Sequence, residues 1–568
     1  MLKVFKILNF SEKIKIFLIV CSILITSSLE ICLLLFIQPL LQLFLNIDNP
    51  NVNLIFFSNQ FNFSNTFLFI SFILIFFLRN IFYAITSFYK NKFIENMHIS
   101  ICNKIYTSYL NKDYIFFLRN NSSRLTSNIL NEISQFSYNV IDSFLIFLTE
   151  IFLITGIAIF LFYKFFIFTT ILLLLCFLLF ILLIIFYRKK MIKIGLQRSM
   201  AEQKKIDDLQ KSFFSIQSIK LDGIENFFIN KFKNNNSISA KLLSLLNFFN
   251  DLNKPIWEIF IFTGFSITMY IGYNFFGLFR ADLILILATF VIAFFRFLPS
   301  LNRIVNSLNS FRFYSASINY IYNEVHSSDD FVPSAQNETV KKLKFFKEIQ
   351  LKNISFKYND NSPFILNNLD LTIVPNTITF IKGESGAGKS TLLNIICGLI
   401  KPTTGEVLVD DKNINLFLKS YQGMVGYVPQ KTLLSDDSIL ENIIFGKNIE
   451  DLDKNLINEV IRQSKLTKLI ERLPNGLNTI IGERGSSLSG GEQQRIGIAR
   501  ALYKKPEILI LDEATSALDQ NTERLLLKEI LELKDTITII MVSHKKLEMN
   551  QKVELFELKG NKIYYIKH

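Results

Sequence analysis

"ITFIKGESGAGKSTLLNIICGL", residues 378–399, decides how the C-terminal half of the chain folds. An apolar strand runs into a glycine-rich turn, and the turn opens a helical run. The turn, GESGAGKS at 383–390, fits GxxxxGK[ST] in the strand–loop–helix setting that this motif requires. Gly383, Gly386 and Gly388 let the backbone wrap around phosphates, with Glu384, Ser385 and Ala387 between them. Lys389 supplies a point charge to the β- and γ-phosphates, Ser390 offers its hydroxyl to Mg²⁺, and Thr391 follows in the first helical turn.

A second strand supports this. "ILILDE", 508–513, ends in two carboxylates. Asp512 suits the Mg²⁺ shell, and Glu513 is placed to polarise an attacking water. Alternating strands and helices with glycine-rich turns predict an α/β domain over 341–568. The segment 327–340, "SSDDFVPSAQNETV", is polar and acidic and contains Pro333, so it is expected to be a linker.

Upstream the chain changes character. Over its 568 residues, half are hydrophobic, 59 are Phe and only 19% are charged. The mean hydropathy is +0.33. The apolar residues concentrate before residue 325, which predicts an α-helical membrane domain over 1–326. Six spans are expected: about 14–45, 66–89, 133–163, 165–187, 254–279 and 281–297, the last with a helical extension toward Val325. No cleavable leader is evident, so the first run is expected to stay as a span.

The net charge of +13 does not point to nucleic acid. Lys3, Lys6, Lys13 and Lys15, then Arg188, Lys189, Lys190 and Lys193, flank apolar spans in the positive-inside pattern. The basic segments 90–132 and 188–253 then face the cytoplasm, as do both termini. Both segments are long, which predicts helices continuing beyond the bilayer with turns near 112–121 and 212–221. The opposite loop, 49–65, is expected as a short interfacial helix or a disordered loop. Five cysteines form no CxxC pair, and reduced buried thiols are expected.

Cations lie within or at the ends of the spans: Arg79, Lys254, Arg296 and Arg303. Arg296 and Arg303 are two helical turns apart, on nearly one face. An intramembrane cation usually faces the bundle interior and marks a substrate path. Glu30, Glu150 and Glu258 also lie in the spans and could instead pair with these cations.

"LSGGE", 488–492, precedes "QQRIGIARAL" and resembles the signature LSGGQ of ABC transporters, with Glu492 in place of glutamine. With it the whole chain resembles the ABC exporters, type IV half-transporters that join six transmembrane helices to an α/β P-loop ABC nucleotide-binding domain. The resemblance implies ATP and Mg²⁺ as ligands and ATP hydrolysis coupled to transport. It assigns Tyr358 in "SFKY" to adenine stacking, Gln430 in "YVPQ" to the Q-loop at the metal, and His544 in "VSH" to the switch histidine. "GERG" (482–485) and "SALD" (516–519) match the exporter-type loop and the D-loop. Ser489, Gly490 and Gly491 of the signature would complete the ATP site of a second copy, so a homodimer is implied.

The membrane half is similar to bacterial lipid-linked oligosaccharide flippases of the PglK type. The likeness rests on "FFRFLPSLNRI" (294–304), "SLE…QPL" (28–40), "FFLRN" (76–80) and "KPIWE" (254–258). It implies that Arg79, Arg296 and Arg303, and by a looser match Lys254, engage the pyrophosphate of a lipid-linked glycan at a bacterial inner membrane. Export of a drug, a glycolipid or a peptide is the alternative, and an ATP-gated regulatory protein a more distant one.

Overall fold

The computed structural model describes residues 2–44, 53–56, 59–62, 65–164, 166–275, 280–329, 347–482, 485–515, 519–543 and 553–566. The chain divides into two compact units. One comprises Met1–Lys112 and Phe117–Val332, the other Asp113–Phe116 and Pro333–His568.

The first unit is built on six long helices: α1 (Phe10–Phe44), α2 (Asn65–Leu110), α3 (Asp142–Lys164), α4 (Phe166–Phe214), α5 (Glu225–Phe275) and α6 (Arg280–Phe313). A shorter helix, α7 (Ser315–Asp329), follows. At 46, 49 and 51 residues, α2, α4 and α5 each extend roughly 70 Å or more at 1.5 Å per residue. A hydrocarbon core is only about 30 Å thick, so these helices continue well past it.

Among the described residues, four stretches are long and apolar enough to cross a membrane: Phe10–Phe36, Thr66–Leu110, Ser122–Tyr163 and Thr169–Phe214. The expected fifth and sixth spans fall on α5 and α6, and residues 276–279 between them lie outside the described residues. The chain turns where the basic segments were expected to turn. A short helix, Tyr114–Arg119, follows α2, and Ile216–Asp222 follows α4 and ends on left-handed Gly223 (φ 65°).

The loop at 49–65 departs from expectation. Its described part is an antiparallel hairpin, β1 (Asn53–Phe56) on β2 (Asn59–Asn62), with Leu54 opposite Phe61. Runs of four residues are too short to sustain a helix, and pairing the two strands satisfies their backbone groups instead.

Apolar packing holds the first unit together. Trp257, Phe136, Ile105, Ile133 and Leu145 are fully buried. α1 packs on α2 and α3, α4 on α5, and α6 on α3. Two glycines permit close approach: a Cβ on Gly156 would lie 2.0 Å from Cδ1 of Ile31, and one on Gly195 1.8 Å from the Phe313 carbonyl oxygen.

The second unit contains two sheets. A four-stranded antiparallel sheet has the order β4 (Leu366–Ile373), β3 (Ile349–Phe356), β6 (Thr404–Val409), β7 (Lys412–Asn413). A six-stranded sheet has the order β12 (Lys562–Ile566), β11 (Glu554–Lys559), β5 (Ile378–Gly383), β10 (Thr538–Val542), β9 (Ile508–Asp512), β8 (Val425–Val428). All its pairings are parallel except that of edge strand β12. Every residue of β9 and β10 is buried, which explains why both read as unbroken apolar runs rather than alternating ones. Two helices matter for the site: α8 (Lys389–Ile396), which follows β5, and α9 (Gly490–Tyr503). Of the expected linker, residues 327–329 end α7 and the rest lie outside the described residues.

Candidate functional site

The glycine-rich turn sits between β5 and α8. Gly386 (φ 82°) and Gly388 (φ 97°) hold left-handed backbone that a Cβ would strain. Space is short as well, because a Cβ on Gly388 would lie 2.8 Å from Cγ2 of Ile365. Gly388 caps α8 without a side-chain hydrogen bond, so the first N–H groups of this helix have no side-chain acceptor at the cap. Such a turn is built to receive an anion. The Lys389 ammonium is buried and donates to the carbonyls of Gly383 (2.9 Å) and Glu384 (2.8 Å), which keeps it over the loop. Burial lowers its pKa, and the carboxylates of Glu513 and Asp512 oppose that shift.

Strand β9 delivers Asp512 to the same place. Its carboxylate accepts from the Ser390 hydroxyl and, at 3.2 Å, from the Tyr427 hydroxyl. Burial raises the Asp512 pKa and Glu513 adds to the rise, while Ser390, Tyr427 and Lys389 resist it. A buried carboxylate beside a serine hydroxyl is the hard oxygen set that Mg²⁺ prefers. Glu513 stands at φ 50°, a left-handed backbone rare for a residue with a side chain. Its N–H donates to the Val542 carbonyl at 3.0 Å, which anchors the turn to β10. The Gln430 amide nitrogen donates to the Glu513 carboxylate at 2.7 Å. Its amide oxygen is thereby left for a metal. The residues present thus fit Mg²⁺ on a nucleotide, which Ser390, Asp512 and Gln430 could hold.

Tyr358 lies beside the start of α8. Its hydroxyl pairs with that of Thr391 at 3.2 Å, and its ring meets Phe356 edge-on, with centroids 5.0 Å apart.

The signature residues open α9. Ser489 and Gly490 are exposed and Gly491 is half-buried. Ser489 and Glu492 form a capping box: the Glu492 N–H donates to the serine hydroxyl and the Ser489 N–H to the carboxylate at 2.8 Å. Arg472 holds the other carboxylate oxygen at 2.7 Å. Burial pushes the Glu492 pKa up, but Ser489 and Arg472 outweigh it and hold the carboxyl below its usual range. His544, Glu483, Arg484 and Ser516–Leu518 lie outside the described residues. Asp519, the last D-loop residue, accepts from the Thr522 N–H at 3.0 Å.

Three participants were missed in the sequence. Tyr427 reaches Asp512 because β8 and β9 are neighbours in parallel register. Gln494 donates to the Gln430 carbonyl at 3.3 Å and so ties α9 to the Q-loop. Arg472 lies 20 residues from Glu492 on a separate helix. The pairing of neighbouring strands could have found Tyr427, whereas nothing local marks Arg472.

In the first unit the four basic residues do not gather at one point. Arg79 and Arg296 meet on the two oxygens of Glu30, at 3.2 and 3.0 Å. Arg303 pairs with Glu150 at 2.9 Å. Lys254 is exposed and stands 3.9 Å from Glu258 on its own helix. Pairing with the intramembrane carboxylates is therefore what the structure shows. It leaves an excess, however, of three guanidinium groups on two buried carboxylates. The side chains of Arg296 and Arg303 remain 45% and 52% exposed.

Comparison with known proteins agrees with both halves. The family model for the ABC transporter transmembrane region matches residues 16–298, and the ABC transporter model matches 366–516. An ATP-dependent lipid A-core flippase of Coxiella burnetii is 42% identical over 198 residues, 35% of this chain and 33% of the flippase. A mitochondrial iron-sulfur clusters transporter ATM1 of Debaryomyces hansenii is 44% identical over 201 residues, 35% of this chain and 28% of that protein. The matched part thus spans about a third or less of these relatives' own length. The solved structure of a bacterial Atm1-family ABC exporter with ATP bound covers 98% of this chain, and 95% of that chain is covered in turn. Its TM-score is 0.78 at 18% identity, a likeness of fold. ATP and Mg²⁺ are accordingly the ligands of the nucleotide-binding domain. With a transmembrane region and an ATPase domain matched in order on one chain, this protein belongs to the ABC transporters, as a half-transporter of exporter fold.

Proposed function

We propose that two copies of this chain form an ATP-driven flippase for a lipid whose head group carries pyrophosphate, of the lipid-linked oligosaccharide kind. The proposed organisation is a membrane domain at 1–326, a linker at 327–340 and a nucleotide domain at 341–568. It resides in a bacterial inner membrane with both termini cytoplasmic.

The observation that carries the cargo reading is the arginine excess over Glu30 and Glu150, with Arg296 and Arg303 half-open to a ligand. Guanidinium groups match phosphate oxygens in a two-pronged way that lysine does not. A carboxylate partner keeps each arginine extended and oriented until a stronger anion arrives. The relative from Coxiella burnetii, named as a flippase of lipid A-core, lends support for a lipid cargo.

At the nucleotide end, Lys389 and the turn N–H groups hold the phosphates, and Glu513 orients the attacking water. Gln430 keeps that carboxylate in place. Mg²⁺ supplies charge neutralisation at the phosphates. Ser489, Gly490 and Gly491, exposed on this chain, complete the site of the other copy, and His544 contacts the terminal phosphate.

The test separates cargo binding from charge balance. Arg296→Gln leaves Glu30 paired with Arg79, whereas Arg303→Gln strands the buried Glu150, so the test variant combines these two substitutions with Glu150→Gln. The threefold variant is expected to fold, yet to move a polyprenyl-pyrophosphate glycan in proteoliposomes at least about tenfold less per ATP hydrolysed, since charge-assisted hydrogen bonds are lost. Wild-type movement in that variant would overturn the cargo assignment.

A further inference from the structure

A cleft of about 530 Å³ opens between α1 and α2, away from the arginines. That is the size range of ligand sites, roughly 300–1,000 Å³. Its walls include Leu18, Ile19, Ile85 and Phe93, and Lys15 and Lys92 line it too. The two helices run antiparallel, so sequence position reports depth. Lys15 precedes Ser22 by seven residues, and Lys92 follows Ile85 by seven. The Cα atoms of both lysines therefore stand about 10 Å along the axis from the deep end. The cleft is apolar at one end and doubly cationic at the other.

The deep end stays apolar although Ser22 lines it, because that hydroxyl donates to the Ile19 carbonyl at 2.7 Å. The nearest carboxylates along the chain are engaged elsewhere. Glu12 accepts from the Asn9 N–H at 2.8 Å and from Ser100 at 3.3 Å, and Glu95 accepts from Tyr138 at 2.9 Å. Among the described residues, neither Lys15 nor Lys92 forms an ion pair. Both lie at the basic ends of their spans, with Tyr89 beside them. That is the depth at which lipid phosphates and aromatic girdles occur.

We propose that this cleft binds an anionic phospholipid of the cytoplasmic leaflet. One acyl chain enters between Leu18 and Ile85, and the head-group phosphate sits between Lys15 and Lys92. The occupant must be both apolar and anionic, because a free phosphate leaves the slot unfilled and a neutral lipid leaves both charges unanswered. This site is distinct from the arginine lining and does not depend on the cargo assigned there.

The test is native mass spectrometry of the full chain in detergent, titrated with phosphatidylglycerol or with phosphatidylcholine of the same acyl chains. The account expects tighter binding of phosphatidylglycerol. Lys15→Gln with Lys92→Gln, both exposed positions, should lower that affinity about 25-fold, at about fivefold per lysine near a membrane surface. Ser22→Phe, filling the deep end, should weaken both lipids. Equal binding of the two lipids by the wild type overturns the proposal, as does an undiminished preference in the double lysine variant. Displacement of phosphatidylglycerol by millimolar inorganic phosphate would also overturn it, as a bare phosphate site. A disulfide between two copies of an Ile85→Cys chain would do the same, as an interface between copies.

Discussion

Glu492 shows how one residue's departure is absorbed. A carboxylate stands where the family signature has an amide, at the helix start that the proposed function assigns to the phosphates of a second copy's nucleotide. A negative charge there favours the helix itself but opposes an incoming anion. Arg472 offsets that charge, and the capping box takes up one carboxylate oxygen. Glutamine keeps the acceptor and loses only the ion pair. Glu492→Gln should therefore change stability by less than about 1 kcal/mol at neutral pH, because the Arg472 side of the pair is largely exposed, whereas Glu492→Ala should cost about 1 kcal/mol or more through the lost cap. The pH dependence distinguishes the two forms. Because the folded carboxyl titrates below its ordinary value, its contribution is complete above about 4.3 and is lost as pH falls from there through the folded value. Melting curves of the full chain across that window should show an acid-dependent loss in the wild type that is reduced in Glu492→Gln. Superimposed curves would remove Glu492 from this role. The P-loop, Asp512, Glu513 and Gln430 were legible in sequence because their chemistry is local to short motifs. Arg472 and Tyr427 were not, because they reach the site only across the fold.

At the scale of elements, the junction of α6 and α7 is held by several specific contacts. The helix breaks at Tyr314, where α4 passes against the chain. Arg198 of α4 lies over the rings of Phe313 and Tyr314, with its guanidinium carbon 5.7 and 5.1 Å from their centroids. Buried Glu132 accepts from Ser199 at 2.8 Å and also from Ser317, so three segments share one carboxylate. Glu132 itself ends a π-helical stretch, Asn128–Glu132, and a second, Phe136–Ile141, follows. Inserted turns of this kind re-aim side chains within a helix. Gly195 makes the crossing possible. Gly195→Ala is expected to lower the Tm of the full chain by about 1–3 °C, since overpacking typically costs about 1–3 kcal/mol and a chain of this size has an unfolding entropy of about 1 kcal/mol per degree. An unchanged Tm would mean that α4 and the junction are not in contact at this point. Long helices and their turns were legible from apolar runs and basic segments. The π-helical stretches and the break at Tyr314 were not, because tertiary contacts rather than periodicity decide them.

At the scale of the molecule, a helical membrane half and an α/β nucleotide half occupy one chain, each with its own core and its own anion chemistry. The division was visible in composition alone, where apolar Phe- and Ile-rich sequence gives way to glycine-punctuated strands. The intramembrane cations were visible too, but their pairing was not. Sequence offered four cations and three carboxylates, and only the packing of α1, α2 and α6 shows that Glu30 serves two arginines. The central claim is that ATP hydrolysed with Glu513 as the water-orienting base moves a pyrophosphate-linked lipid across the bilayer. The most direct measurement is transbilayer movement of a polyprenyl-pyrophosphate glycan in proteoliposomes holding the full chain, with and without ATP, for wild type and Glu513→Gln. The account predicts ATP-dependent movement by the wild type, and a variant that binds ATP but neither hydrolyses it nor moves the lipid. Wild-type rates of hydrolysis and movement in Glu513→Gln, or no movement by an actively hydrolysing wild type, would contradict it.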